Sequence, residues 1–271
     1  MDLLPPGDAQ VCISSGVPSV DNLVGGSGFE PGHIYEVFGP PGSGKTQLAL
    51  SLAAHCAPRA HVLYLDVKGD FSAERLSQII GERGGQVNAC LDKVRVKRIS
   101  TLGELIDALD CIESFVEGGG KPDPFWACTR LLVIDNVASL VYPEMDEDNE
   151  VSGTGGCGRA SGDGMKEIFG RVEVAVGALQ RLASEHQMCV LVVNNAVAGG
   201  GDYDHDKGDG SGVQSRPSLG RILSNAADVR LKVVTVDGSS ARAVYVDRGI
   251  RLAPGSMCKI TVTERGWDEL N

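Results

Sequence analysis

The run Gly39-Pro40-Pro41-Gly42-Ser43-Gly44-Lys45-Thr46 constrains this chain more than any other stretch in it. It fits the spacing Gly-x-x-x-x-Gly-Lys-Thr, follows an apolar, strand-like run from Ile34 to Phe38, and opens a helical stretch from Gln47 to Cys56. Strand, glycine-rich turn and helix in that order make an anion cradle. The glycines let successive backbone N–H groups curl round a phosphate, and the helix N-terminus adds partial positive charge. Lys45 then reaches the outer phosphates and Thr46 offers a hydroxyl to Mg²⁺, so the pattern predicts a nucleoside triphosphate site. A turn that merely happens to end in Lys-Thr would need neither the strand before it nor the helix after it.

Strand-like and helical runs alternate beyond this motif. His61 to Asp66 and Val94 to Ile99 are expected as strands, with helices over Ser72 to Arg83 and Leu102 to Val116; the second carries Leu102, Leu105, Ile106, Leu109 and Ile112 on one face. Arg130 to Asp135 and Cys189 to Asn194 are continuous apolar runs of the kind buried on both faces of a parallel sheet, with a helix from Met165 to His186 between them. Val229 to Val236, Ala241 to Val246 and Cys258 to Thr263 then follow as consecutive strands with turns at Asp237-Gly238 and Pro254-Gly255. The expectation is an α/β fold: a mostly parallel central sheet, helices on both faces, and an antiparallel C-terminal extension. No internal repeat is evident.

A chain of 271 residues, 42% of them hydrophobic, fits one generous α/β domain. We expect that domain over 13–271, with 1–12 a disordered tail or linker stub. The formal net charge of −11 gives no general attraction to nucleic acid or to an anionic membrane, so any polyanion must be met by local basic groups. The eight cysteines are scattered without a Cys-x-x-Cys pair or a histidine at ligand spacing. Free thiols in a reducing compartment are therefore expected, not a zinc site or a disulfide framework. No secretory leader and no bilayer-length apolar run is seen, which points to a soluble intracellular protein without membrane partners.

Two segments break the alternation. Tyr142 to Gly164 and Ala196 to Leu219 are each more than twenty residues long, rich in Gly, Asp and Ser, and each follows an expected central strand at the end where open α/β sheets place ligands. Disordered insertion and function both fit such lengths. Leu131 to Asp135 is an apolar strand ending in a carboxylate, the arrangement that sets an Asp beside the Mg²⁺ of a phosphate loop.

With these pieces in hand the chain resembles the RecA-like recombinases of eukaryotes and archaea, and among them the recombination-repair paralogues. The matching stretches are Ser15 to Leu23, Thr46 to Leu50, Val62 to Asp66 followed by Phe71 to Leu76, Leu131 to Asp135, Val190 to Asn195, and Pro217 to Arg221. They occur in the family's order from about Ile13 onward. The D-type paralogue looks most similar, because its nucleotide strand also runs into a non-acidic, glycine-containing turn and a Leu-Gly-Arg follows its second long loop. The resemblance implies a RecA-like ATPase core that binds ATP and Mg²⁺. Gly39 to Thr46 would be the triphosphate cradle and Gln47 its flank, Thr46 and Asp135 the metal side, and Arg75 a planar contact to the adenine. Asn195 would stand at the γ-phosphate sensor position.

The departures from that family are informative. Its active members carry a water-activating Glu where this chain has Lys68, and a charged Lys cannot accept that proton. No catalytic residue is therefore assigned, and hydrolysis is expected to be slow or absent. Asp66 or Asp70 could substitute, but a carboxylate displaced by one residue points elsewhere. Asn195 stands for the family's Gln, one methylene shorter. The sequence also lacks the family's N-terminal helical domain and aromatic linker, so a self-assembled filament is not expected.

The two long segments match positions that grip DNA in the recombinases, yet here they are acidic. Glu144, Asp146, Glu147, Asp148 and Glu150 precede Arg159, while Asp202, Asp204, Asp206 and Asp209 surround Lys207. Arg159, Lys166, Arg216 and Arg221 remain as candidate contacts, each of which also reads as an ordinary surface or structural residue, and Tyr203 alone offers a stacking ring among them, so DNA affinity is expected to be weak. The resemblance implies a nuclear protein of homologous-recombination repair. Two roles compete: a nucleotide-stabilised adaptor in a hetero-oligomer of paralogues that assists the recombinase filament, and a DNA-stimulated ATPase that remodels it. A helicase-like or clock-type RecA-fold ATPase is a third reading.

Overall fold

The computed structural model of the chain describes residues 12–118, 123–141, 162–198, 215–218, 223, 225–236 and 238–270. Its elements in order are α1 (Pro18–Leu23), β1 (Ile34–Gly39), α2 (Lys45–Cys56), β2 (His61–Asp66), α3 (Ala73–Glu82), α4 (Val87–Leu91), β3 (Val94–Arg98) and α5 (Leu102–Val116). Then come α6 (Pro124–Ala127), β4 (Thr129–Asp135), α7 (Gly162–Ser184), β5 (Cys189–Ala198), β6 (Ser215–Pro217), β7 (Val229–Thr235), β8 (Arg242–Gly249), β9 (Met257–Thr263) and β10 (Gly266–Glu269). One sheet runs in the order β10-β9-β8-β7-β1-β5-β4-β2-β3, with β6 added antiparallel to β5.

From β7 to β3 every neighbouring pair is parallel, while β8, β9 and β10 extend the β7 side by antiparallel pairing. The apolar runs explain this division. Strands β1, β2 and β4 are buried almost throughout, as strands covered by helices on both faces must be. One core lies under α2 and α3 and includes Leu48, Leu52, Leu76, Ile79 and Trp267. The other lies under α5 and α7 and includes Leu105, Leu109, Ile112, Leu179 and Leu182.

The helix starts follow local chemistry. Ser72 caps α3 by accepting from the N–H of Arg75, and Thr101 caps α5 by accepting from the N–H of Glu104. Glu104 also accepts from the N–H of Ser100, the residue before the cap, and so ties the chain entering the helix to its first turn.

The α/β fold with an antiparallel C-terminal extension is thus present. Two expectations need adjusting. Strand β5 runs on to Ala198 and is met by β6 at Ser215–Pro217, so both ends of the second long segment are paired strand; the periodicity of Asn194 to Ala198 was masked by its two asparagines. Strand β10 was not anticipated, because Gly266–Glu269 is short and carries one large apolar residue. Residues 1–11 of the expected tail, the acidic residues 144–150 and 202–209 with Tyr203 and Lys207, and both Arg159 and Arg221 lie outside the described residues. Among the described residues no helix is long and apolar enough to cross a membrane.

Candidate functional site

The sheet register gathers the site. Gly39 at the end of β1 lies opposite Asn195 of β5; Asp135 at the end of β4 lies opposite Val193 of β5 and Asp66 of β2. The ends of β1, β2 and β4 therefore meet beside β5 at the carboxyl edge, at the start of α2.

The loop between β1 and α2 has the backbone that its glycines permit. Gly42 and Gly44 adopt φ of 76° and 100°, in the left-handed region open to glycine. A Cβ on Gly39 would lie 2.1 Å from the carbonyl oxygen of Val233, so no other residue fits there. Ser43 is buried and its Oγ has no hydrogen-bond partner, whereas a Cβ on Gly42 would meet nothing within 4 Å. An orphaned buried hydroxyl on a glycine-turned loop is what a phosphate cradle offers before an anion supplies the missing acceptor. The residues present therefore fit a triphosphate.

Lys45 is buried at 7% exposure and turns back on the loop, where its Nζ donates to the carbonyls of Gly39 and Pro40, each at 2.9 Å. Burial pushes its ammonium down to about 8; Asp135 opposes this, and the positive charge of Lys68 adds to it. Thr46 Oγ1 donates to Asp135 Oδ2 at 2.7 Å, and Tyr64 Oη donates to the same oxygen at 2.8 Å. Burial raises the Asp135 carboxyl above its ordinary value, against the pull of those two hydrogen bonds. Thr46 and Asp135 thus present hydroxyl and carboxylate oxygens side by side, the hard donor set that Mg²⁺ takes.

Lys68 and Asp70 are exposed on the turn after β2. Both act on the site through their charge: Lys68 lowers Lys45, and Asp70 helps to raise Asp135. Asp66 is buried and occupied, accepting from the N–H groups of Gly69 and Asp70 and facing Arg98 at 3.5 Å. It shapes the turn that carries Lys68 and Asp70.

Gln47 and Arg75 are joined, with Arg75 Nε donating to Gln47 Oε1 at 2.9 Å. The same guanidinium donates to Gln78 and to the carbonyls of Thr263 and Glu264 in the β9–β10 turn. These bonds lie in the guanidinium plane and do not use its faces, which are what a base would stack on. Asn195 Oδ1 accepts from Asn136 Nδ2 at 2.7 Å, tying the tips of β4 and β5 together, and its carbonyl accepts from the N–H and the hydroxyl of Ser218 just beyond β6. Arg216 sits exposed on β6 and Lys166 exposed on α7, both away from the phosphate loop in sequence.

Three features of the site escaped the sequence. Tyr64 shares a strand face with Asp135, since it pairs with Val133 two residues before it; the parity of the two strands carries that signal. Trp267 is fully buried and its indole N–H donates to the carbonyl of Gly44 at 2.9 Å, a contact from the far end of the chain with no local signature. Behind the cradle, Glu36 of β1 is fully buried between Asn194 Nδ2 at 2.7 Å and Arg230 Nε at 2.7 Å, and Arg230 also reaches Asp247 at 3.1 Å. The one charged residue in Ile34 to Phe38 is thus satisfied across three neighbouring strands.

Comparison with known proteins agrees with this fold. The family model described as Rad51 matches residues 8–269. "DNA repair protein RAD51 homolog 4" of Bos taurus is 27% identical over 259 residues, covering 92% of this chain and 70% of its own length. "DNA repair and recombination protein RadB" of Methanosphaera stadtmanae is 24% identical over 249 residues and 92% of each chain. "Meiotic recombination protein DMC1 homolog B" of Oryza sativa subsp. japonica is 28% identical over 239 residues, 85% of this chain and 61% of its own length. Among solved structures, "Crystal structure of the RadB recombinase" superposes with a TM-score of 0.71 at 23% identity, covering 96% of this chain and all of that one, which bears on the fold.

Proposed function

The chain belongs to the Rad51 family, and from that premise we propose that it binds ATP with Mg²⁺ and acts in recombinational DNA repair as a nucleotide-stabilised adaptor. The observation that carries the ATP reading is the assembly of Lys45, Thr46 and Asp135 at one strand edge. The adaptor role adds what the resemblance implies, that Lys68 occupies the position of the water-activating Glu of active recombinases.

The backbone N–H groups of the loop and the Lys45 ammonium would hold the phosphates, and Thr46 and Asp135 would hold the metal. Mg²⁺ supplies charge neutralisation between the outer phosphates when bound. Gln47 fixes Arg75, whose guanidinium face is offered to the adenine, and Asn136, just beyond β4, holds Asn195 within β5. Exposed and cationic, Lys68 adds positive charge near the phosphates without accepting a proton from water. Bound nucleotide then stabilises the folded chain by mass action whether or not it is cleaved. In this role the chain works in a nuclear hetero-oligomer with other paralogues that assists the recombinase filament, and meets DNA weakly or through that assembly.

A specific observation favours a second reading, an autonomous ATPase. The exposed turn after β2 that carries Lys68 also carries a carboxylate, Asp70, two residues further on. Turnover separates the two. The adaptor reading expects the purified chain to bind Mg·ATP and hydrolyse it very slowly, with or without DNA. Robust turnover abolished by Lys45→Ala would defeat the adaptor and favour the ATPase.

A further inference from the structure

The C-terminal hairpin β9–β10 is fastened to the phosphate loop rather than merely packed on it. Trp267 is fully buried, its indole N–H donates to the Gly44 carbonyl at 2.9 Å, and its own N–H donates to Ser51 Oγ of α2 at 3.0 Å. Gly44 is the N-cap of α2, and its carbonyl also accepts the first helical bond from the N–H of Leu48 at 3.1 Å. Both acceptor positions of that oxygen are therefore filled. In a trans peptide the carbonyl and the next N–H point in opposite directions, so fixing the Gly44 oxygen fixes the Lys45 N–H that opens toward the anion cradle.

The hairpin is held from its other side as well. Arg75 donates to the carbonyls of Thr263 and Glu264, and Arg83 NH2 donates to the carbonyl of Trp267 at 2.6 Å. Gly266 adopts φ of 85°, and a Cβ there would lie 2.3 Å from Ser51 Oγ, so the approach to α2 is close.

Building on the ATP-binding reading, we infer that Trp267 is a positioning residue for the phosphate loop: its indole N–H sets the peptide plane that presents the Lys45 N–H to the phosphate chain. The ligand it serves is the phosphate chain, not the base. Inorganic pyrophosphate with Mg²⁺ is therefore a sufficient probe.

The test uses the full chain in two variants. In Trp126→Phe, Trp267 is the only tryptophan, and its emission is expected to change saturably on titration with Mg·pyrophosphate and with Mg·ATP. In Trp267→Phe, which keeps an aromatic ring and loses the donor, the dissociation constants for both ligands are expected to rise by the same factor of about five, as for one net hydrogen bond. These are measured at a temperature where both proteins are folded by circular dichroism. A merely structural role would lower the melting temperature and leave those constants unchanged. Wild-type binding with silent Trp267 emission overturns the inference and leaves the ATP reading standing. So does weakening of ATP alone, since the defect would then lie on the base side. A wild-type chain that binds neither ligand overturns both. If Trp267→Phe fails to fold, the emission of the single-tryptophan protein decides.

Discussion

Thr46 Oγ1 donates to Asp135 Oδ2 at 2.7 Å, joining residues 89 positions apart in the chain. One stands on the first turn of α2 and the other at the tip of β4, with β5 between β4 and the strand that leads into the phosphate loop. The hydrogen bond brings together the two oxygen donors that would hold Mg²⁺ in the proposed site.

Tyr64 supports that pair from below. Its hydroxyl is buried and donates to the same Asp135 oxygen at 2.8 Å, so Tyr64→Phe removes one of the two protein donors from a buried carboxylate. Hydrogen bonds to charged groups contribute about 1.5–3 kcal/mol, and urea denaturation should register a loss in that range with an unchanged slope. A loss below about 0.5 kcal/mol, the scatter of neutral surface changes, would mean that the bond contributes nothing.

Lys45 gives the pH dependence. Burial lowers its pKa to about 8 in the free protein, and a bound phosphate chain favours the ammonium and raises it again. Above about pH 8 the free protein carries fewer protons than the complex, so ATP binding takes up protons and affinity falls with rising pH, by up to about tenfold per unit. Calorimetry at pH 8.5 in two buffers of different ionisation enthalpy measures the uptake. Proton release, or affinity unchanged from pH 7 to 9.5, would contradict the assignment.

The phosphate loop, the succession of strands along the chain and the Asp135 strand end were legible because each is written locally: a fixed spacing, an apolar run, a carboxylate at its end. Asp66 was legible as a strand terminus but not in its task, since only the folded turn reveals that its carboxylate is spent on the N–H groups of Gly69 and Asp70. Trp267 and Arg230 were not legible at all. Their partners Gly44 and Glu36 lie about two hundred residues away, and no period or spacing encodes a contact that the sheet order creates. Arg75 was singled out for the adenine, and its clamp on the β9–β10 turn emerged only from the fold.

Glu36 and Arg230 form a buried ion pair at 2.7 Å directly behind the loop. Removing one partner strands the other: Arg230→Met leaves Glu36 uncompensated and should cost about 3–5 kcal/mol of stability. The double substitution Glu36→Gln with Arg230→Met should recover a large part of that loss in urea melts. If the double variant is as unstable as the sum of the single ones, the two residues are not coupled.

On the proposed reading, Lys68→Glu places a carboxylate at the position that the resemblance assigns to a water-activating Glu. A rise in ATP turnover of at least about tenfold, corresponding to about 1.4 kcal/mol of barrier, is expected while nucleotide affinity stays within a few-fold. Turnover unchanged in the variant would show that Lys68 is not what limits hydrolysis.

The central claim is that the loop from Gly39 to Thr46 holds the triphosphate, and titration calorimetry of the folded chain with Mg·ATP tests it most directly. The account predicts saturable one-site heat for the wild-type chain that disappears in Lys45→Ala. Absence of heat from the wild-type protein, or equal heat from Lys45→Ala, would contradict it.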